Sequence, residues 1–314
     1  MNQFRQAIDK RLDLIDFESL SKGFKRYDYA LYDDKHVYLK DRVIDKDQRF
    51  LGNTAINFEG EYIAIWHNPQ GDLDILTSNI IHEMFHCHQY DANIPILIDD
   101  LGALKYTLDR RYLELKQEEK VLLVNAIQNM DQDAYSQVLS IRQMRNNLNP
   151  IYDYERSIEI FEGGAEACKL SALKHFCYAT YEKVIKEGCA FILNEYFDTR
   201  RIAYYSGAYL TILENLFPET QGITNYELEN KFNLQSAFND YIASKKEQMK
   251  KYSTDVNIKG HICGYDPMNM MGYDNKILHK HFVMIKKETE KLFLQGPLVT
   301  VYDEDPFEVV TVLK

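Results

Sequence analysis

Apolar residues recur every three to four positions through most of residues 99–251, the spacing that buries one face of an α-helix. Helical stretches are expected at 101–117, 118–130, 133–148 (ending before Pro150), 152–182, 204–216 and 235–251. Upstream, residues 4–20 read as a short amphipathic helix and 74–90 as a longer one. Between them the period falls to two. Residues 27–32 and 36–39 alternate as strands, and 53–67 alternate twice around Glu59-Gly60, which predicts a β-hairpin. Residues 260–274 hold three glycines, one proline and three methionines without a period, and read as a loop that can adapt to an apolar ligand. His279 and His281 follow on an expected helix, two apart and so facing different ways. Residues 297–302 and 307–313 close the chain as strands. The expected fold class is α+β in three parts. Residues 1–98 form a mostly antiparallel sheet packed on the 74–90 helix. Residues 99–251 form a large helical subdomain, and 252–314 a loop and a short β segment.

The 74–90 helix carries His82-Glu83-Met84-Phe85-His86. Positions i and i+4 stand one turn apart on one face, so His82 and His86 can offer two ring nitrogens to one metal ion. Glu83 lies about 100° around the helix and can take a proton from a water activated by that ion. Cys87 and His88 project from other faces and read as packing. The plainer alternative is a helix with two unrelated histidines. Catalytic zinc needs a third protein ligand, and residues 154–170 offer Glu155, Glu159, Glu162 and Glu166 at spacings of three and four, along one helical stripe. Gly163-Gly164 interrupts the stripe. Each glycine costs roughly 1 kcal/mol against alanine inside a helix, so another backbone or a metal site is expected close by.

A strand, an H-E-x-x-H helix and a downstream helix bearing E-G-x-A resemble the gluzincin metallopeptidases. The resemblance implies a zincin-like fold, with Glu162 as the third zinc ligand and Glu166 as the acid that orients the first histidine, as metal-bound histidines generally require. Glu159 is the ligand to test should Glu162 fail. Two departures stand out. The stretch between His86 and Glu162 is far longer than in the best-known members, and Glu replaces the commoner Asp at 166. Tyr204, followed by Gly207, resembles the Y-x-x-G helix start whose phenol assists the oxyanion. By the same resemblance the strand before the metal helix borders the cleft with a free edge, so that Tyr62, Ala64 and Trp66 line it, with Tyr205 nearby. No G-x-M-E-N-like element of the aminopeptidase kind is found.

Composition narrows the classes. The formal charge is −11, and the lysine-rich 245–251 stretch is the one basic run, which disfavours nucleic acid as a partner. There is no run of 18 apolar residues and no apolar leader at the N-terminus, so a cytoplasmic protein with no membrane partner is expected. Five cysteines without C-x-x-C spacing fit reduced thiols. The expectation is therefore one Zn²⁺ per chain and a peptide or protein substrate, with Glu83 as general base. The alternative is a catalytically inactive binding or regulatory protein of the same fold with a structural metal.

Overall fold

A computed structural model describes residues 2–104, 109–223 and 232–314. The 53–67 hairpin forms as expected: β4 (Thr54–Phe58) and β5 (Glu61–His67) pair antiparallel across Glu59 and Gly60. Both turn residues have positive φ, 54° and 93°, the condition for a two-residue turn that follows the twist of its strands. The hairpin belongs to a five-stranded sheet that also contains β1 (Tyr29–Tyr32), β2 (His36–Tyr38) and β3 (Val43–Asp45), in the order β3-β2-β1-β5-β4. Only the β1–β5 pair is parallel.

Strand β5 sorts its side chains by alternation. Ile63 and Ile65 pack with Phe50 and Phe58 on one face. Tyr62, Ala64 and Trp66 turn to the other, where α1 (Asn2–Leu12), α2 (Phe17–Leu20) and α3 (Leu73–Asp91) cover them. Helix α3 is the 74–90 helix of the sequence reading. Asp72 caps it by accepting from the Asp74 and Ile75 amides, and Leu76, Ile80 and Met84 bury its apolar face on the sheet.

The middle of the chain is helical: α4 (Asp100–Ala103), α5 (Arg110–Asn129), α6 (Gln132–Asn146), α7 (Ile151–Ile158), a π-helical turn (Glu159–Gly163), α8 (Gly164–Phe176), α9 (Tyr178–Asn194), α10 (Thr199–Leu216) and α11 (Gln235–Met249). The boundaries depart from the periodicity where local chemistry intervenes. The expected 101–117 and 118–130 helices are replaced by one helix from Arg110, capped by Asp109 and ended by Met130 at φ 51°; residues 105–108 lie outside the described residues. The expected 152–182 helix is interrupted by the π turn and again at Cys177, which is extended (φ −154°, ψ 103°). Helix α10 starts at Thr199 because Asp198 caps it by accepting from the Arg201 amide. Tyr204 therefore sits in the second turn rather than at the helix start.

The cost of Gly163 is explained by a backbone crossing. A Cβ on Gly163 would stand 2.5 Å from Gly207 Cα, and a Cβ on Gly207 would stand 2.6 Å from the Glu159 carbonyl oxygen. The two glycines let α10 cross the π turn in backbone contact. Gly163→Ala gains about 1 kcal/mol of helix propensity, but the obstacle is main chain, which cannot rotate away, and overpacking costs about 1–3 kcal/mol. We expect net destabilisation and a lower urea midpoint; an unchanged midpoint would mean that the crossing tolerates a methyl group.

The C-terminal region departs most from expectation. In place of a loop, a helix and a short β segment stands a seven-stranded antiparallel sheet of β6 (Gly260–Tyr265), β7 (Met270–Tyr273), β8 (Lys276–His279), β9 (Phe282–Lys287), β10 (Glu290–Gln295), β11 (Leu298–Tyr302) and β12 (Glu308–Leu313). Its order is β10-β9-β6-β12-β11-β8-β7. The glycines that look like loop punctuation serve the sheet instead. Gly264 sits at a register shift between β6 and β9, and Gly272 on β7 faces the Leu104 side chain. Pro267 opens a short 3₁₀ turn between β6 and β7. His279 ends β8, buried, with Nε2 3.0 Å from Thr300 Oγ1, and His281 lies in the turn beyond. No helix among the described residues is long and apolar enough to cross a membrane.

Candidate metal centre

Helix α3 and the π turn bring three donors to one point. His82 and His86 face each other with Nε2 atoms 3.1 Å apart, and Glu162 Oε2 lies 3.1 Å from His86 Nε2 and 3.6 Å from His82 Nε2. Ligands at about 2.0–2.1 Å in a tetrahedron stand roughly 3.3 Å from one another. The donor set thus fits a metal ion in kind and in spacing, and all three residues are buried. Electrostatics point the same way. Burial by itself would lower the His82 imidazole, but the neighbouring carboxylates of Glu162 and Glu166 outweigh it and raise it to about 10. Burial pushes Glu162 up, and the two histidines overcome that push and hold it well below the ordinary carboxylate range. The pocket favours a positive charge.

The π turn accounts for which glutamate arrives. A regular helix would keep Glu159 and Glu162 on one stripe; the wider turn re-aims the segment exactly where they sit, as π turns in helices often do at functional sites. Glu162 points to the histidines. Glu159 is taken up elsewhere, accepting from Arg142 and, at 2.9 Å, from Ser206 Oγ. Glu155 is bound to Arg145 and Lys116. Only Glu162 of these three joins the cluster.

Each donor is held from behind. Glu166 Oε2 stands 3.2 Å from His82 Nδ1, off hydrogen-bond alignment, while its other oxygen accepts from Lys169 at 2.7 Å. His86 Nδ1 lies 2.7 Å from Gln89 Oε1, and the Phe161 ring stacks on the His86 imidazole with centroids 4.8 Å apart. Glu162 Oε1, the oxygen turned away from the histidines, is 3.3 Å from Arg200 Nη2, and Arg200 also donates to Asp100 at 2.5 Å. That leaves one carboxylate oxygen for an ion.

His82 and Glu83 open onto a cavity of about 470 Å³ whose walls include Trp66, Phe191, Tyr204, Tyr205 and Met268. Burial raises the Glu83 carboxyl above its ordinary value, against the opposing pull of His82 and His86. Tyr204 stacks on His82 at 6.3 Å between centroids, with planes 5° apart. Burial first and Glu162 second push its phenol above the ordinary range, so it stays a neutral O–H donor.

The expected lining needs correcting. β5 is an inner strand between β1 and β4, paired on both sides at Ala64 and Ile65, and the outer strand at that end of the sheet is β4. Trp66 reaches the cavity, as Tyr205 does, but Ala64 is 1% exposed beneath α3, and Tyr62 sits further along the strand against Tyr90. Gln89, Phe161, Lys169, Arg200 and Asp100 were missed by the sequence reading. Gln89 and Lys169 had a signal: each is polar and three residues beyond a site residue, on the same helical face. Arg200 and Asp100 had none, since only the fold brings them to Glu162.

Comparison with family models, curated proteins and solved structures finds no match to this chain.

Proposed function

We propose that this protein is a zinc-dependent metallopeptidase of gluzincin type with a zincin-like core. The reading rests on one observation: His82, His86 and Glu162 converge beside a cavity into which Glu83 opens. The sheet that packs on α3, and the second helical segment that delivers Glu162, support it.

Zinc in this site would polarise a water and a carbonyl. The remaining work falls to the chain's own residues. Glu83, held by burial closer to neutrality than an ordinary glutamate, takes the proton from the attacking water and passes one to the leaving amine. Tyr204, neutral and stacked on His82, donates to the developing oxyanion. The apolar patch of Trp66, Phe191 and Met268 receives the substrate's side chain. Met268 comes from the turn between β6 and β7, so the C-terminal sheet contributes to the cleft. That open cavity favours an enzyme over an inactive binding module, in which the protein's own side chains would fill the space beside His82 and Glu83.

Elemental analysis of the purified protein tests the reading. Near-stoichiometric zinc is expected in the wild type and in Glu159→Ala, and its loss in Glu162→Ala. Wild-type protein that takes up no zinc on reconstitution would end the hydrolase reading. Retention in Glu162→Ala would reassign the third ligand.

A further inference from the structure

Behind the donor set, a single amide joins His86 to the backbone of the π turn. Gln89 is 2% exposed and lies three residues beyond His86 on α3. Its Nε2 donates to the Phe161 carbonyl at 2.8 Å, and its Oε1 lies 2.7 Å from His86 Nδ1. The carbonyl can only accept, so the NH₂ end of the amide must face Phe161 and the oxygen must face His86. An oxygen there in turn requires the proton of a neutral His86 to sit on Nδ1. The Nε2 lone pair is then left facing His82 and Glu162.

We propose that Gln89 is a positioning residue that fixes the tautomer of His86 and ties that histidine to the segment carrying Glu162. The inference rests on reading His82, His86 and Glu162 as a metal site, but its first half concerns the imidazole alone. Partners behind a ligand histidine commonly set its tautomer and ring orientation, and losing one typically costs about 10–100-fold in metal affinity. Here the partner does two things at once. One end of the amide selects the nitrogen, and the other holds Phe161, whose ring stacks on the same imidazole.

The test uses the full chain, labelled with ¹⁵N-histidine and stripped of metal, at pH 8. The His86 resonances are identified by their absence from His86→Ala. Wild type is expected to show a proton on Nδ1, where the Gln89 oxygen accepts it. Gln89→Met, similar in size but without an acceptor, should populate the other tautomer. Gln89→Glu keeps the acceptor while losing the donor to Phe161, and should keep the wild-type tautomer. Zinc affinity, measured by competition with a chromophoric chelator, should weaken about 10–100-fold in Gln89→Met and recover only in part in Gln89→Glu, which keeps the acceptor and loses the tie to Phe161. Wild-type His86 without a proton on Nδ1 would overturn the proposal, even if Gln89→Met fails to fold. So would wild-type zinc affinity in a folded Gln89→Met. If wild type binds no zinc, the metal reading fails, while the tautomer still decides the role of Gln89.

Discussion

Glu83→Gln is expected to keep zinc and to lose peptide hydrolysis by about 10²–10⁴-fold, the usual contribution of a general acid–base group. The substitution is nearly isosteric, and His82, His86 and Glu162, which form the cluster, are untouched. What disappears is the capacity to accept a proton. Activity of the wild type should fall on the acidic side as Glu83 takes up a proton and can no longer accept one from water. That fall should be missing from the residual activity of the variant. Stability should move the other way. An acid whose folded pKa is raised destabilises the fold once pH exceeds its unfolded value, and glutamine removes that penalty. Compared without metal, the melting temperature of Glu83→Gln should therefore equal or exceed that of wild type, as when a residue serves activity at the expense of stability. Hydrolysis at the wild-type rate, with zinc bound, would dismiss Glu83 as the base.

The parts of this site that were legible in the sequence are those set by one helix. His82, Glu83 and His86 share α3, and a fixed repeat with a capped start places them without reference to the rest of the chain. Glu162 was reachable only through the resemblance, because spacing cannot separate it from Glu159. The deciding feature is the π turn, and no period announces a single inserted residue. Gly163 gave a sound warning, since its cost implied a close backbone, although Gly207 as the partner could not be named. The C-terminal sheet was hidden for a related reason. Strands that bend at glycines and join through a proline turn lose the alternation by which strands are recognised. The charged residues of α5 carry no signal of their burial in the sequence: Lys116, Glu119 and Lys120 are all buried.

Those buried charges carry the second large effect: Arg145→Leu is expected to destabilise the fold by about 3–5 kcal/mol, the cost of removing one partner from a buried ion pair. Arg145 is 0% exposed. It donates to Glu119, to Tyr112 Oη at 2.7 Å and to Glu155 at 2.7 Å, and it lies over the rings of Tyr112 and Tyr152. Leucine would fill much of the space yet leave Glu155 to Lys116 and Tyr112, and Glu119 to Arg142. Lysine should rescue poorly, because one ammonium cannot span two carboxylates and a phenol as the guanidinium fork does. The pH dependence follows from Glu155. Burial pushes its carboxyl up, but Arg145 and Lys116 outweigh that and hold it well below the ordinary range. A depressed folded pKa stabilises above the unfolded value, about 4.3, and the benefit is lost as pH falls below it. Wild type should therefore lose stability steadily from about pH 5 downward. Arg145→Leu, its Glu155 less depressed, should start lower at pH 7 and fall less steeply with acid. Urea unfolding at pH 7 and pH 4 reads both, and equal slopes in the two proteins would detach Glu155 from Arg145. The network matters to the site because Glu155 on α7 and Glu159 in the π turn are both bound to it, through Arg145 and Arg142. The buried ions thus anchor the segment that carries Glu162 toward the histidines.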